Sequence, residues 1–230
     1  MDQAVVGGRL HLRIRLLLRA VQSSFLNSPW RFFFFTTQIY CSMKLQGLYF
    51  LQSKGICHRD LSLENILVDD EDCLIIDMGM CLRVAYTSRT DPQKVTDVSN
   101  GTTRRLIRRQ GTCGKHNYMS PEIYQNTDDF DGFAIDLWAA GVILYIMLTG
   151  FPPYDHATMA DKRFEIIVEG ELIEQLRTWE IYLSDEAGDL MQKMLRLDPK
   201  ERLTLAQVME HPWVTNPDIQ CPAPSGGLYH

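Results

Sequence analysis

The stretch His58-Arg59-Asp60-Leu61-Ser62-Leu63-Glu64-Asn65 constrains this chain more than any other. It sets an Asp and an Asn five residues apart, and the apolar run Ile66-Leu67-Val68 follows directly. Twelve residues beyond Asn65 stands Asp77-Met78-Gly79, preceded by a second apolar run, Leu74-Ile75-Ile76. Two short strands would each deliver an oxygen-bearing side chain to one place. That is a workable way to hold a divalent cation beside a general base.

The chain has 230 residues, enough to bury a sizeable core in one large domain or two small ones. A hydrophobic fraction of 45% with 23% charged residues describes a globular protein rather than a disordered one. The net charge of -6 gives no overall attraction to nucleic acid. Charge is unevenly spread: residues 1–39 hold five Arg and one Asp, a contribution of +4, so the remainder carries -10. The six cysteines include no C-x-x-C pair, which suits free thiols better than a disulfide framework or a zinc site. No stretch approaches 18 apolar residues without a charge, so no transmembrane helix is expected.

Residues 1–39 interleave Leu10, Leu12, Ile14 and Leu16 with Arg9, Arg13, Arg15 and Arg19, partly at strand period and partly as a basic amphipathic pattern. A membrane-surface or targeting segment is one reading and a divergent N-terminus the other; the second leads, so membrane association is not expected. From residue 40 the text changes. Leu45, Leu48 and Leu51 share a helical face that ends at Gly55, a suitable C-cap. Val142-Ile143-Leu144-Tyr145-Ile146-Met147-Leu148, after Asp136-Leu137-Trp138, is apolar nearly all round, as a buried core helix would be. Ser184 is placed to cap a helix opening with Asp185-Glu186. Beyond residue 214, Pro217, Pro222, Pro224 and Gly226-Gly227 suggest an unstructured tail over 215–230.

Taken together, His58–Asn65, Asp77-Met78-Gly79, Tyr118-Met119-Ser120-Pro121-Glu122, Asp136-Leu137-Trp138 and Arg202 resemble the eukaryotic protein kinase family. The likeness is to the serine/threonine type, with a large lobe similar to that of calcium/calmodulin-dependent kinases, over residues 40–214. It implies a kinase-like α+β fold represented mainly by its helical C-terminal lobe. It also implies a transferase that moves the γ-phosphate of ATP to a protein Ser or Thr hydroxyl, with Mg²⁺. Asp60 would accept or orient the hydroxyl proton, Asn65 and Asp77 would hold the metal, and Leu67 would floor the adenine pocket. His58 and Asp136 would brace the catalytic loop, and Glu122 would pair with Arg202. A lone His-Arg-Asp triplet could equally be a structural ion pair; the full set at family spacing is far more specific.

Three departures qualify the likeness. Met78 replaces the usual Phe, and being apolar and adaptable it is expected to fill the same stack. Ser62 stands where serine/threonine kinases carry a Lys that neutralises the transferring phosphate. Lys115, in Gly114-Lys115-His116-Asn117-Tyr118, stands where the family has a Thr whose hydroxyl lies against that Lys. Hydroxyl and ammonium are therefore expected to have exchanged places, with Lys115 supplying the cation beside Asp60; two unrelated losses are the alternative. The segment from Asp77 to Glu122 is long, and Thr112 is a candidate phosphosite whose phosphate would pair with Arg59. Arg104, Arg105, Arg108 and Arg109 are expected to form a solvated basic loop.

An active kinase also uses a small lobe with a Gly-rich loop, a strand Lys and a helix Glu. Gly7-Gly8 is not G-x-G-x-x-G, and Lys44 and Lys54 stand too close to Asp60 to be the strand Lys. The chain as written is therefore expected to be impaired. The alternative is a kinase-like module that binds a regulatory protein through the face the small lobe would cover. The expected compartment is the cytoplasm, with the nucleus second.

Overall fold

The computed structural model of the chain describes residues 45–69, 72–88, 90, 94–96 and 103–216. The expectations for residues 1–39 and for the tail after 216 lie outside the described residues.

Leu45, Leu48 and Leu51 are buried along one side of the first described helix, residues 45–53, while Tyr49 and Phe50 face outward. Period 3.6 puts those leucines on one stripe, and burying each side chain stabilises the fold by about 1.5–3 kcal/mol. The helix stops at Gly55, whose φ of 68° is the left-handed conformation a C-cap needs.

Three small antiparallel ladders follow. β1 (Ile56–Cys57) pairs with β4 (Leu82–Arg83), and β2 (Ile66–Asp69) pairs with β3 (Asp72–Ile75). The second register sets Ile66 opposite Ile75 and Leu67 opposite Leu74, so Asn65, just before β2, and Ile76, just after β3, lie side by side. β5 (Lys94–Thr96) pairs with β6 (Thr103–Arg105) inside the long segment, where the sequence predicted only a loop.

The central helix, Gly132–Thr149, organises the rest. Asp131 caps its N-terminus by accepting from Phe133 N, and Gly150 ends it. It is long and apolar enough to cross a membrane, yet 83% of it is buried inside the fold, so it is a core helix rather than a span. Leu137, Trp138, Val142, Leu144 and Tyr145 are at most 1% exposed. Around it lie helices Lys162–Glu169, Leu172–Thr178, Asp185–Met194, Leu205–Glu210 and Pro212–Thr215. The N-termini of all but Leu172–Thr178 are closed by polar caps: Asp161, Ser184, a Thr204–Gln207 capping box, and His211.

Two expectations fail here. Met78 does not fill a buried stack; it is 44% exposed, its sulfur 3.7 Å from Cys81 Sγ. Arg104 is not part of a solvated loop. It is buried and ion-paired with Asp131, whereas Arg105, Arg108 and Arg109 are exposed. A buried carboxylate in reach outweighs hydration for the Arg104 guanidinium.

Candidate active site

The catalytic stretch is fixed from beneath by the central helix. Asp136 is 1% exposed; its Oδ2 accepts from His58 N at 2.6 Å and its Oδ1 from Arg59 N at 2.8 Å. Burial pushes the Asp136 pKa up to about 7, and the two backbone donors pull it back. Those acceptors help hold Arg59 at a φ of 69°, a left-handed conformation that costs a non-glycine residue on the order of 1–3 kcal/mol.

His58 is fully buried and joins the two halves of the site. Its Nδ1 accepts from Asp60 N at 3.3 Å, so the ring proton sits on Nε2, which donates to Ile76 O at 3.0 Å. Ile76 N in turn donates to Asn65 O at 2.9 Å. The loop bearing Asp60 and the loop bearing Asp77 are thus tied through one imidazole and one backbone bond. Asp77, also left-handed with a φ of 63°, turns its carboxylate to solvent, with Gly79 N at 3.4 Å.

Asn65 is buried and donates through Nδ2 to Asp60 O at 2.8 Å and Asp60 Oδ2 at 3.2 Å. This fixes the Asp60 carboxylate by one oxygen and leaves Oδ1 without a hydrogen-bond partner. Across from Oδ1 stands Lys115. Its Nζ donates to Ser62 Oγ at 2.8 Å and lies 3.8 Å from Asp60 Oδ1 and 3.9 Å from Glu64 Oε2. The hydroxyl and the ammonium expected to have changed places do touch. Ser62 is fully buried, while the Lys115 side chain is 41% exposed.

Gly114 lets the segment come this close. Its φ is 87°, and a Cβ there would sit 2.9 Å from Arg59 O and 3.5 Å from Asp60 Oδ1. Further on, Arg202 makes a two-pronged pair with Glu122, at 2.8 and 3.2 Å, and also donates to Ala134 O and Arg196 O. Its guanidinium lies 5.0 Å from the Trp138 ring. All five of its N–H donors are satisfied, which is what a buried guanidinium requires.

Leu67 lies on β2, opposite Leu74 and half-buried. Thr112 is exposed, and among the described residues no hydrogen bond joins it to Arg59. The Arg59 guanidinium instead lies 5.7 Å from the Phe130 ring, with Met80 O 3.4 Å from Nη1. Sequence reasoning overlooked Glu64, the second carboxylate beside Lys115, although it lies within the opening motif. It also overlooked the run Asn126–Asp131, which no motif marks.

Both candidate metal ligands offer hard oxygen donors. Asn65 spends its amide nitrogen on Asp60, leaving its carbonyl oxygen, and the Asp77 carboxylate is exposed. Among the described residues no group of three or more His, Cys, Asp or Glu could hold a metal alone. Two oxygen ligands suit Mg²⁺, which takes few from protein and the rest from phosphate and water.

The protein kinase domain family matches residues 17–214, beginning within the segment set apart above as residues 1–39. MAP kinase-interacting serine/threonine-protein kinase 1 of Xenopus tropicalis is 37% identical over 207 residues, covering 79% of this chain and 45% of that protein. Serine/threonine-protein kinase DCLK3 of Homo sapiens is 36% identical over 171 residues, covering 74% and 23%. Calcium/calmodulin-dependent protein kinase cmkB of Emericella nidulans is 33% identical over 177 residues, covering 75% and 39%. The chain spans less than half the length of these relatives. With the family match extending over most of its length, the chain belongs to the eukaryotic protein kinase family.

Proposed function

We propose that the intact protein is a serine/threonine kinase in which Lys115, borne by the segment before Glu122, neutralises the transferring phosphate. The observation that carries this is Lys115 Nζ, 2.8 Å from Ser62 Oγ and 3.8 Å from Asp60 Oδ1. ATP with Mg²⁺, which the family generally uses, supplies the phosphoryl group and a divalent charge when bound. Asp60 orients the acceptor hydroxyl and holds its proton at Oδ1, the oxygen with no other hydrogen bond. Asn65 keeps that carboxylate from rotating, and Asn65 with Asp77 would hold the metal. Lys115 offers a positive charge where negative charge gathers, which is the main demand of phosphoryl transfer. The relatives' names support a protein hydroxyl as acceptor.

The test is Lys115→Met in the full-length protein, assayed on serine and tyrosine peptides. Turnover on serine should fall about 10²–10³-fold, as for loss of one preorganised charge. Unchanged turnover would sink the assignment. A docking role is the second reading, favoured by the exposure of Leu74 (61%), Met78 (44%) and Met80 (46%) around Asp77. In that case Mg·ATP would leave the Tm of the full-length protein unmoved.

A further inference from the structure

The exchange of Ser62 and Lys115 moves the phosphate-facing charge off the catalytic loop and onto the segment. The catalytic loop is held from beneath by the buried Asp136 carboxylate. Lys115 is different. Near it, the segment meets the catalytic loop through the close approach of Gly114 to Arg59 O, a 3.9 Å contact from Cys113 Sγ to the same oxygen, the Lys115–Ser62 bond itself, and Tyr118, which shares the core with Leu61. The first two do not fix an ammonium on a flexible four-carbon stem.

The segment is fixed downstream by the buried Tyr118 and Met119 and by Glu122–Arg202, and upstream as well. Residues 104–111 run antiparallel to 126–131 and are laced to them at each step. Arg104 Nε and Nη2 donate to the two Asp131 oxygens at 2.9 and 2.6 Å. Ile107 and Phe130 exchange backbone bonds at 2.8 and 2.9 Å. Arg109 reaches Asp129 Oδ1 and Thr127 O, and Gly111 N donates to Asn126 Oδ1 at 3.2 Å. Only the first of these side-chain links is buried, with side chains 6% and 8% exposed, and the Arg104 guanidinium also lies 4.6 Å from the Phe133 ring. Asp131 caps the central helix at the same time, so the lacing ends on the buried core helix.

We propose that Arg104 is a positioning residue for Lys115: through Asp131 it orders the segment, and with it the phosphate-facing cation, using a carboxylate already in the chain. The inference rests on the catalytic reading of Lys115. It makes turnover depend on segment order more steeply than in a kinase whose cation sits on the catalytic loop.

The experiment is a cycle in the full-length protein. Arg104→Met should lower kcat about 10²-fold with KM for ATP little changed, as for a charge displaced by about an ångström. In the background Ser62→Lys/Lys115→Thr, which returns the cation to the catalytic loop, the same substitution should change kcat by no more than about twofold. Equal losses in both backgrounds, or an exchanged background with no turnover, would overturn the proposal. Arg104→Met/Asp131→Asn, which keeps a cap and strands no buried charge, should behave like the single variant. If it retains full turnover, Arg104 does not position Lys115. Hydrogen exchange supplies a readout independent of catalysis. Amides of residues 113–118 should exchange faster in Arg104→Met, and unchanged exchange would refute the anchor. If Lys115→Met alone costs nothing, the catalytic reading has failed, whatever exchange says about the anchor.

Discussion

The catalytic loop and the segment facing it both carry charge to the same few ångströms, but they are secured differently. Ser62, His58 and Asn65 are buried, and the loop rests on Asp136, itself part of the core helix. The segment is secured at its ends, by Arg104–Asp131 and by Glu122–Arg202, and residues 105–117 run near the surface before Tyr118, Met119 and Ser120 turn into the interior. A residue in the loop inherits the rigidity of the core. A residue in the segment, such as Lys115, is only as well placed as its two arginine anchors allow.

That contrast can be broken most forcefully at the far anchor. Arg202→Met strands the Glu122 carboxylate and should destabilise the protein by about 3–5 kcal/mol, seen as a lower urea midpoint; a smaller loss than for Asp136→Ala would reverse the ranking of the two regions. Asp136→Ala leaves two buried backbone donors unpaired and should cost about 2–4 kcal/mol. Its pH signature is separate. The folded Asp136 keeps its proton up to about 7, above the ordinary 3.8, so folding binds a proton between those values. The contribution is fully present below 3.8 and is lost as pH rises to about 7. The alanine variant should lack that downward slope.

Gly114→Ala tests the junction itself. The strained φ and the approach to Arg59 O should cost about 1–3 kcal/mol, and kcat should drop by more than KM rises. An unaffected kcat would mean that the segment can shift without moving Lys115. The smallest effect is a control remote from both regions. Asp161→Ala removes a cap and should cost about 1 kcal/mol. Burial works against the Asp161 carboxylate, but backbone donors from His156, Asp155, Arg163 and Phe164 hold its pKa below the ordinary value. Its contribution is therefore present above 3.8 and lost as pH falls through the lower folded value, opposite in sign to that of Asp136.

That Asp60, Asn65 and the loop of Asp77 come together was legible because the two short apolar runs that follow Asn65 and precede Asp77 can pair as a hairpin. The central helix was legible because its residues are apolar all round. Arg104 was not. In a run of four arginines nothing local separates the one that is buried from those that are solvated, and its partner lies 27 residues away. Met78 misled for the converse reason: apolarity says what a side chain tolerates, not what covers it. Glu64 lay within the motif, yet its relation to Lys115 spans the fold and needed coordinates.

The imidazole of His58 has a consequence of its own. One flat ring spans the gap between the Asp60 amide and the Ile76 carbonyl, with an acceptor on one edge and a donor on the other. It acts as a spacer of fixed length between the loop bearing Asp60 and the loop bearing Asp77. A side chain with more torsions could make both bonds and still let the gap vary, so the value of a histidine here is metrological rather than acidic or basic.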